Sequence, residues 1–384
     1  MRGLIKAGHT VKVVLTSGAL TFLKKDLFTY LGAAGVFTTH DELTPQNPNE
    51  ILHIQLARFC ERLIIAPASA NTIATLARGH ATDLLSSIFL AMDQKTPIIL
   101  YPAMNTKMLT HPFTVENFKK LRTLPQLLIA PTANGELACQ EQGEGKLLEI
   151  ESIIDMAPFV SPSKPTKKIL ITTGATNNPL DPIRYLTNSS SGLTGFYLAR
   201  QAISLGYQVT VIAGQNATSR LASLIWPDKC NVIRVSSTSD MYKAVSQYFP
   251  STDIYISSAA IGDIEFDYQK TKIKKQEMKM SLPYLLSTDI LKEVLKIRKK
   301  GQTIIGFAAE TELSSEVLLK KWNSKPVDLL IGTHVHNGLS DKGPPLGFKK
   351  EDAYYCFVKN GKVIFKENLS KEDLAKKILG WNYD

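Results

Sequence analysis

Four lysines crowd the segment KTKIKK at positions 270 to 275, and three of them, Lys272, Lys274 and Lys275, form a Lys-x-Lys-Lys pattern. Fixed positive charge at this density suits phosphorylated small molecules. A solvated basic surface is the bland alternative. A second group of polar residues follows the apolar run KILITT: Gly174-Ala175-Thr176, then Asp181-Pro182-Ile183-Arg184-Tyr185, then Asn188-Ser189-Ser190-Ser191-Gly192. Serine hydroxyls and glycine backbone at a helix start offer N–H donors and the positive end of the helix dipole, which phosphate recognition requires. Arg184 can pair with a phosphate or a carboxylate.

The first half carries a different set. Pro67-Ala68-Ser69-Ala70-Asn71-Thr72 follows the strand-like RLIIAPAS, and Pro102-Ala103-Met104-Asn105-Thr106-Lys107-Met108 follows PIILYPA. Small hydroxyl and amide side chains there either cap a helix or hydrogen-bond a ligand. The two methionines face a flat apolar cofactor or fill the core. His53 in ILHIQLA stands alone on a helical stretch, where a histidine is ordinarily structural.

Elements that can position these residues alternate along the chain. VKVVLT (11–16), RLIIAPAS (62–69), PIILYPA (97–103) and LLIAP (127–131) are separated by stretches long enough for crossover helices, which predicts a parallel sheet covered on both faces. Proline and serine crowd PFVSPSKPTKK (158–168) and mark a domain boundary. The alternation resumes with ILITT (169–173), QVTVIA (208–213), NVIRVS (231–236), DIYISSAA (253–260), TIIGFAAE (303–310) and DLLIGT (328–333). DAYYCFV and KVIFKEN flank Asn360-Gly361, a dipeptide suited to a tight hairpin, and a last helix begins near Ser370. The expectation is an α/β protein of two doubly wound, mainly parallel Rossmann-like domains, 1–157 and 168–384 around a linker at 158–167, with an antiparallel C-terminal hairpin. Open parallel sheets bind ligands beyond the carboxyl ends of their strands, where the unusual residues stand.

Taken together, the strand-end segments of the first half resemble the PASANT and PxMNxxM motifs of the homo-oligomeric flavin-containing cysteine decarboxylases, in the phosphopantothenoylcysteine branch. The resemblance implies FMN near Ser69, Asn71 and Met104, substrate on Asn105, and a catalytic role for His53. Asn134-Gly135-Glu136-Leu137-Ala138-Cys139 resembles the substrate flap of that family, with Cys139 as the acid that protonates the decarboxylated product. The flap departs from the family at Gln140, Lys146 and Leu147 and keeps Gly143 and Gly145. The family opens with a strand and a Gly-Gly loop for the flavin phosphate, roughly twenty residues before the point matched by Met1, and their absence would leave an unpaired sheet edge and fewer phosphate donors.

In the second half the order Thr-Gly-Ala-Thr, Asp-Pro-x-Arg-Tyr, Asn-x-Ser-Ser-Gly, SSAAIGD, KIKK, GFAAET resembles phosphopantothenate-cysteine ligase over nearly all of 168 to 384. The resemblance implies an acyl-cytidylate made with CTP and opened by the amine of cysteine. Asn188 would hold that intermediate, Arg184 the substrate, and Lys272, Lys274 and Lys275 the triphosphate, with Lys272 also catalytic. Ser258, Ala259, Ala260, Asp263, Phe307, Lys321 and Lys325 match CTP contacts; Phe307 packs on cytosine or in the core. The nucleotide loop Asn-Pro-Asp-Ile of the family stands here as Ser287-Thr288-Asp289-Ile290. Magnesium is expected with the triphosphate; no metal ligands are legible.

Two other classes compete. A Thr-Gly-Ala-Thr turn after a strand also opens NAD(P)-dependent reductases, yet QVTVIA ends in Gly214-Gln215 with no ribose-binding acid. Ligase activity beside an inactive decarboxylase remnant, or a non-catalytic flavoprotein-like module, is the other. The 384 residues are 44% hydrophobic and 21% charged, which suits two globular domains. The charge of +10 lacks the aromatic platform of a nucleic-acid binder. Cys60, Cys139, Cys230 and Cys356 form no Cys-x-x-Cys pair, so neither zinc knuckle nor disulfide framework is expected. Lys12 interrupts the first apolar stretch, and later ones fall short of the roughly 18 residues that span a bilayer. A cytoplasmic homo-oligomer acting on small molecules is the resulting expectation, with no nucleic-acid or membrane partner.

Overall fold

The computed structural model of the chain describes residues 1–43, 51–136, 141–160, 166–274, 283–335 and 350–381. It divides into two compact units, Met1–Ser163 and Lys164–Asp384.

In the second unit eight strands form one sheet. Its order is Cys230–Val235, Gln208–Gly214, Lys168–Thr173, Ile254–Ser257, Thr303–Glu310, Leu329–His334, Asp352–Lys359, Lys362–Ser370. The first six run parallel, and the last two fold back antiparallel. Parallel strands covered on both faces must be apolar throughout, and Lys168–Thr173 is buried at every residue after the first. The chain steps outward from Lys168–Thr173 to one side, then returns to place Ile254–Ser257 on the other. At such a reversal an open parallel sheet offers a ligand site beyond the carboxyl ends of its strands. At the antiparallel edge Asn360 and Gly361 take φ of 51° and 69°, which a two-residue hairpin turn needs. The helix Lys371–Leu379 is capped by Ser370, whose side chain accepts the N–H of Asp373. Two short antiparallel pairs stand apart from the sheet: Asn177–Pro179 with Tyr185–Thr187, and Ile264–Phe266 with Tyr284–Leu286.

The first unit has its parallel strands in two sheets, where a single one was expected. Leu63–Ala68, Ile98–Pro102 and Leu127–Ile129 form one, and Lys12–Leu15 pairs with Gly35–Thr38 in the other. Among the described strands none bridges Lys12–Leu15 and Leu63–Ala68. The core centres on Ile98–Pro102, all five residues of which are buried. Enclosing Ile98, Ile99 and Leu100 stabilises by about 1.5–3 kcal/mol each. Ser69 caps the helix Ala70–Arg78, and Gly79 ends it at φ 71°. Asp83 opens Leu84–Ala91 with a reciprocal capping box to Ser86. A glycine-rich stretch without strand periodicity forms an antiparallel pair, Ala133–Glu136 with Gln142–Lys146. Among the described residues no helix is long and apolar enough to cross a membrane.

Candidate active sites

The second-unit site is assembled by side chains that grip backbone. The helix Leu193–Ser204 can approach the strand Lys168–Thr173 because its third residue is Gly195, where a Cβ would fall 2.3 Å from that of Thr173. Thr173 Oγ1 donates to Gly192 O at 3.1 Å and fixes the entry to that helix. Across the site, Ser258 donates its hydroxyl to Thr172 O at 2.7 Å, and Ala260 donates its N–H to Gly174 O at 2.8 Å. Asn188 then spans the gap: Nδ2 donates to both Ala260 O and Ile261 O at 3.2 Å. Thr176 Oγ1 accepts the N–H of Gly262 at 2.9 Å, and Ser287 donates its hydroxyl to Gly262 O and its N–H to Asp263 O. Asn188, Ser258, Ala259, Ala260, Asp263 and Ser287, far apart in sequence, thereby occupy one neighbourhood.

Next to it, Asp289 caps the helix Ile290–Lys296 by accepting the N–H of Lys292 at 3.1 Å and is paired with Lys325. Thr288 is exposed. The side chain of Ile290 is 1% exposed within the hydrophobic core, and its backbone stands at the helix start. Lys321 pairs with Glu310 at the carboxyl end of Thr303–Glu310, the strand on which Phe307 is half-buried. Lys272 and Lys274 are exposed. Lys275 lies outside the described residues.

Arg184 is committed within the protein. Its Nε donates to Asp181 Oδ2 at 3.0 Å, and its Nη2 donates to the same carboxylate and to Ile273 O at 2.8 Å. These bonds hold the carboxyl of Asp181 well below the ordinary aspartate range: the Arg184 side chain contributes most, burial opposes it, and backbone N–H groups add to it. Asp181 was legible only as part of a turn, since Asp-Pro marks one without revealing what the carboxylate reaches.

In the first unit a cavity of about 300 Å³ lies between the helix starts at Ser17, Ala70 and Leu84. Ser69 and Asn71 line it, together with Thr16, Ser17 and Thr72, and Leu76 and Leu85 supply apolar wall. The sequence reading missed Thr16 and Ser17, although Thr16 shows the hydroxyl of a helix cap and accepts the N–H of Ala19. Met104 packs against the core of the unit, which is the gap-filling alternative, and is not on the cavity wall. Asn105 caps the short helix Thr106–Leu109, with Oδ1 accepting the N–H of Lys107 at 2.8 Å and Nδ2 donating to Glu141 at 2.9 Å. The strand Gln142–Lys146 seats on this segment through Gly145, at φ 119°, where a Cβ would sit 2.1 Å from Met104 O. Met104 in turn donates its N–H to Gly145 O at 3.0 Å.

His53, on the helix Leu52–Phe59, has Nδ1 hydrogen-bonded to the carboxylate of Glu42. A carboxylate at one ring nitrogen orients the ring and fixes its tautomer. Glu42 had no sequence signal, because it stands eleven residues away on another helix. Cys139 lies outside the described residues. Among the described residues no three His, Cys, Asp or Glu side chains converge as a metal-ligand set.

Comparison with known proteins gives both halves a match. Residues 1–158 match the family model described as Flavoprotein, and residues 165–382 that of the DNA/pantothenate metabolism flavoprotein C-terminal domain. The coenzyme A biosynthesis bifunctional protein CoaBC of Bacillus subtilis is 35% identical over 386 residues, spanning 98% of this chain and 90% of that one. Its counterpart in Vibrio vulnificus is 34% identical over 388 residues, spanning 98% and 91%. A crystal structure of the C-terminal domain of CoaBC aligns with a TM-score of 0.44 and 29% identity, over 56% of this chain and 94% of that one.

Proposed function

The chain belongs to the family of bifunctional coenzyme A biosynthesis proteins, CoaBC, enzymes with a decarboxylase and a ligase activity, and from that membership we propose how each half works. Residues 168–384 join 4'-phosphopantothenate to cysteine with CTP. Residues 1–157 decarboxylate the product to 4'-phosphopantetheine with FMN, and 158–167 link the two.

The gathering of Asn188, Ser258, Ala260, Asp263 and Ser287 at the sheet reversal carries the ligase reading. A carboxylate cannot expel oxide at neutral pH, so it must first be given a better leaving group. In this reading a carboxylate oxygen of phosphopantothenate attacks the α-phosphorus of CTP and pyrophosphate departs. The amine of cysteine then attacks the acyl carbon, loses a proton, and expels CMP. Lys272, Lys274 and Lys275 offset the triphosphate charge, and Lys321 and Lys325 support the nucleotide. The neutral amide of Asn188 holds the acyl-cytidylate by hydrogen bonds, without charge repulsion toward phosphate. Magnesium enters with CTP as its counter-ion.

FMN fits the polar wall of the first-unit cavity: Thr16, Ser17, Ser69 and Thr72 offer hydroxyls and Asn71 an amide, while Leu76 and Leu85 give apolar contact. When bound, FMN would supply a reversible two-electron oxidation of the substrate thiol, taking the electron pair before carbon dioxide leaves and returning it afterwards, so that the product is again a saturated thiol. His53, oriented by Glu42, exchanges a proton at Nε2. Asn105 orients substrate beneath the flap, and Cys139 returns the proton that the decarboxylated carbon requires. The protein acts in the cytoplasm on small molecules as a homo-oligomer, a reading favoured by the exposure of Leu285 and Leu286 at 75% and 81%.

Purified protein incubated with phosphopantothenate, cysteine and each nucleoside triphosphate in turn should form the cysteine adduct fastest with CTP. No adduct with any nucleotide would refute the ligase reading. A visible flavin absorption band should accompany the decarboxylation of supplied 4'-phosphopantothenoylcysteine, and decarboxylation by a colourless preparation would remove FMN from the proposal.

A further inference from the structure

Asp181 is wholly enclosed, with its side chain 0% exposed. Oδ1 accepts the N–H groups of Ile183 at 2.9 Å and Arg184 at 2.8 Å, the pattern of a local turn. Such a turn uses one oxygen. Oδ2 takes Arg184 Nε and Nη2, then reaches 92 residues along the chain to accept the N–H of Ile273 at 3.2 Å. Arg184 Nη2 donates to the carbonyl of the same Ile273 at 2.8 Å. One ion pair, its carboxylate enclosed and its guanidinium about one-third exposed, therefore holds both polar backbone groups of a single distant residue.

Ile273 stands between Lys272 and Lys274, both exposed, with Lys270 close by. Like charges at this spacing repel, and each lysine carries up to about 2 kcal/mol of rotamer entropy. Left to itself the segment would spread its ammonium groups away from one another and from any fixed target. We propose that Asp181 is a positioning residue for nucleotide binding: through Arg184 and the backbone of Ile273 it fixes the segment from which Lys272 and Lys274 meet the triphosphate. Arg184 then serves as the second jaw of this clamp. The inference rests on the ligase reading, because a clamp on a merely solvated lysine run would have no catalytic consequence.

The test compares Asp181→Asn, Ile273→Pro and Lys272→Gln in the full chain, measuring ligation against CTP concentration at saturating cysteine and phosphopantothenate. Decarboxylation of supplied 4'-phosphopantothenoylcysteine by each variant measures the properly folded fraction. Ile273→Pro deletes the donor to Asp181 on an unenclosed segment and decides the matter if Asp181→Asn does not fold. Both Asp181→Asn and Ile273→Pro should raise KM for CTP by about tenfold, with KM for cysteine unchanged. A purely structural Asp181 would lower thermal stability and leave KM for CTP alone. If Lys272→Gln raises KM and Ile273→Pro stays within about twofold of the parent, the clamp is overturned and the ligase reading stands. If Lys272→Gln also changes neither KM nor kcat, the role of the lysine run falls and takes the clamp with it.

Discussion

The candidate site of the second unit is built by side chains holding backbone at the ends of one continuous sheet: Asn188 on Ala260 and Ile261, Ser258 on Thr172, Ser287 on Gly262. In the first unit the parallel strands fall into two sheets, and its site residues lean on one another through side chains and caps: His53 on Glu42, Asn105 on Glu141 and Lys107. Each of these second-unit bonds has one end that no side-chain substitution removes, whereas the His53–Glu42 pair can be lost from either end. The first unit should therefore lose activity to single polar substitutions more readily than the second.

The largest effect expected from this contrast is at His53. His53→Asn should slow decarboxylation about a thousandfold and leave ligation at the parental rate, measured on the same preparation. Glu42→Gln keeps the size of the carboxylate and removes its charge, so decarboxylation should fall about tenfold by loss of the fixed tautomer. Parental decarboxylation in Glu42→Gln would reduce that pair to a surface contact. A fall in ligation with His53→Asn would break the independence of the two units.

Glycine-to-alanine changes sharpen the comparison from the backbone side. Gly145→Ala sets a Cβ against Met104 O and forces an unfavourable φ, so the strand Gln142–Lys146 lifts at a cost of about 1–3 kcal/mol. Gly195→Ala sets a Cβ against buried Thr173, where the helix cannot withdraw without leaving the strand, and costs at least as much. Calorimetry should show each substitution lowering the transition of its own unit. Gly145→Ala should also raise KM for the decarboxylation substrate, and an unchanged KM would dissociate the flap from substrate binding.

How much was legible follows from the range of the forces involved. TIIGFAAE, read as 303–310, is the strand Thr303–Glu310, because a doubly covered parallel strand writes its burial into consecutive residues. Asn360-Gly361 gave the hairpin, since positive φ is a local demand. The hairpin Ala133–Glu136 with Gln142–Lys146 was hidden, because glycines serve its close approach to Met104 and erase the alternation. Ile290 was assigned to the nucleotide by its place in a motif, while its packing against the core depends on the whole unit. Glu42 with His53, and Asp181 with Ile273, are contacts between distant segments that no spacing rule encodes.

Acidification should separate the Asp181 anchor from the others by sign as well as size. Its folded-state carboxyl lies below the ordinary value, so its contribution to stability is complete above about pH 4 and is lost as pH falls toward the folded-state value. The gap in melting temperature between parent and Asp181→Asn, followed in the second-unit transition, should be constant between about pH 5 and pH 7 and narrow below about pH 4. A gap that widens on acidification would mean that the carboxyl is protonated at neutral pH and cannot pair with Arg184.

The smallest effect belongs to Lys321, and it tests whether the second unit's edge is structural or functional. Its ion pair with Glu310 joins a side chain 48% exposed to one 19% exposed. Solvent screens such a pair, so Lys321→Met should change stability by less than about 1 kcal/mol. The substitution keeps the apolar stem, which leaves packing of the helix Ser315–Ser324 nearly intact. If Lys321 supports the nucleotide, KM for CTP should nevertheless rise about threefold, an effect that shrinks with added salt as the triphosphate is screened. Unaltered KM at low salt would assign Lys321 to its partner Glu310 alone and confine nucleotide recognition to the site around Asn188 and the lysines beside Ile273.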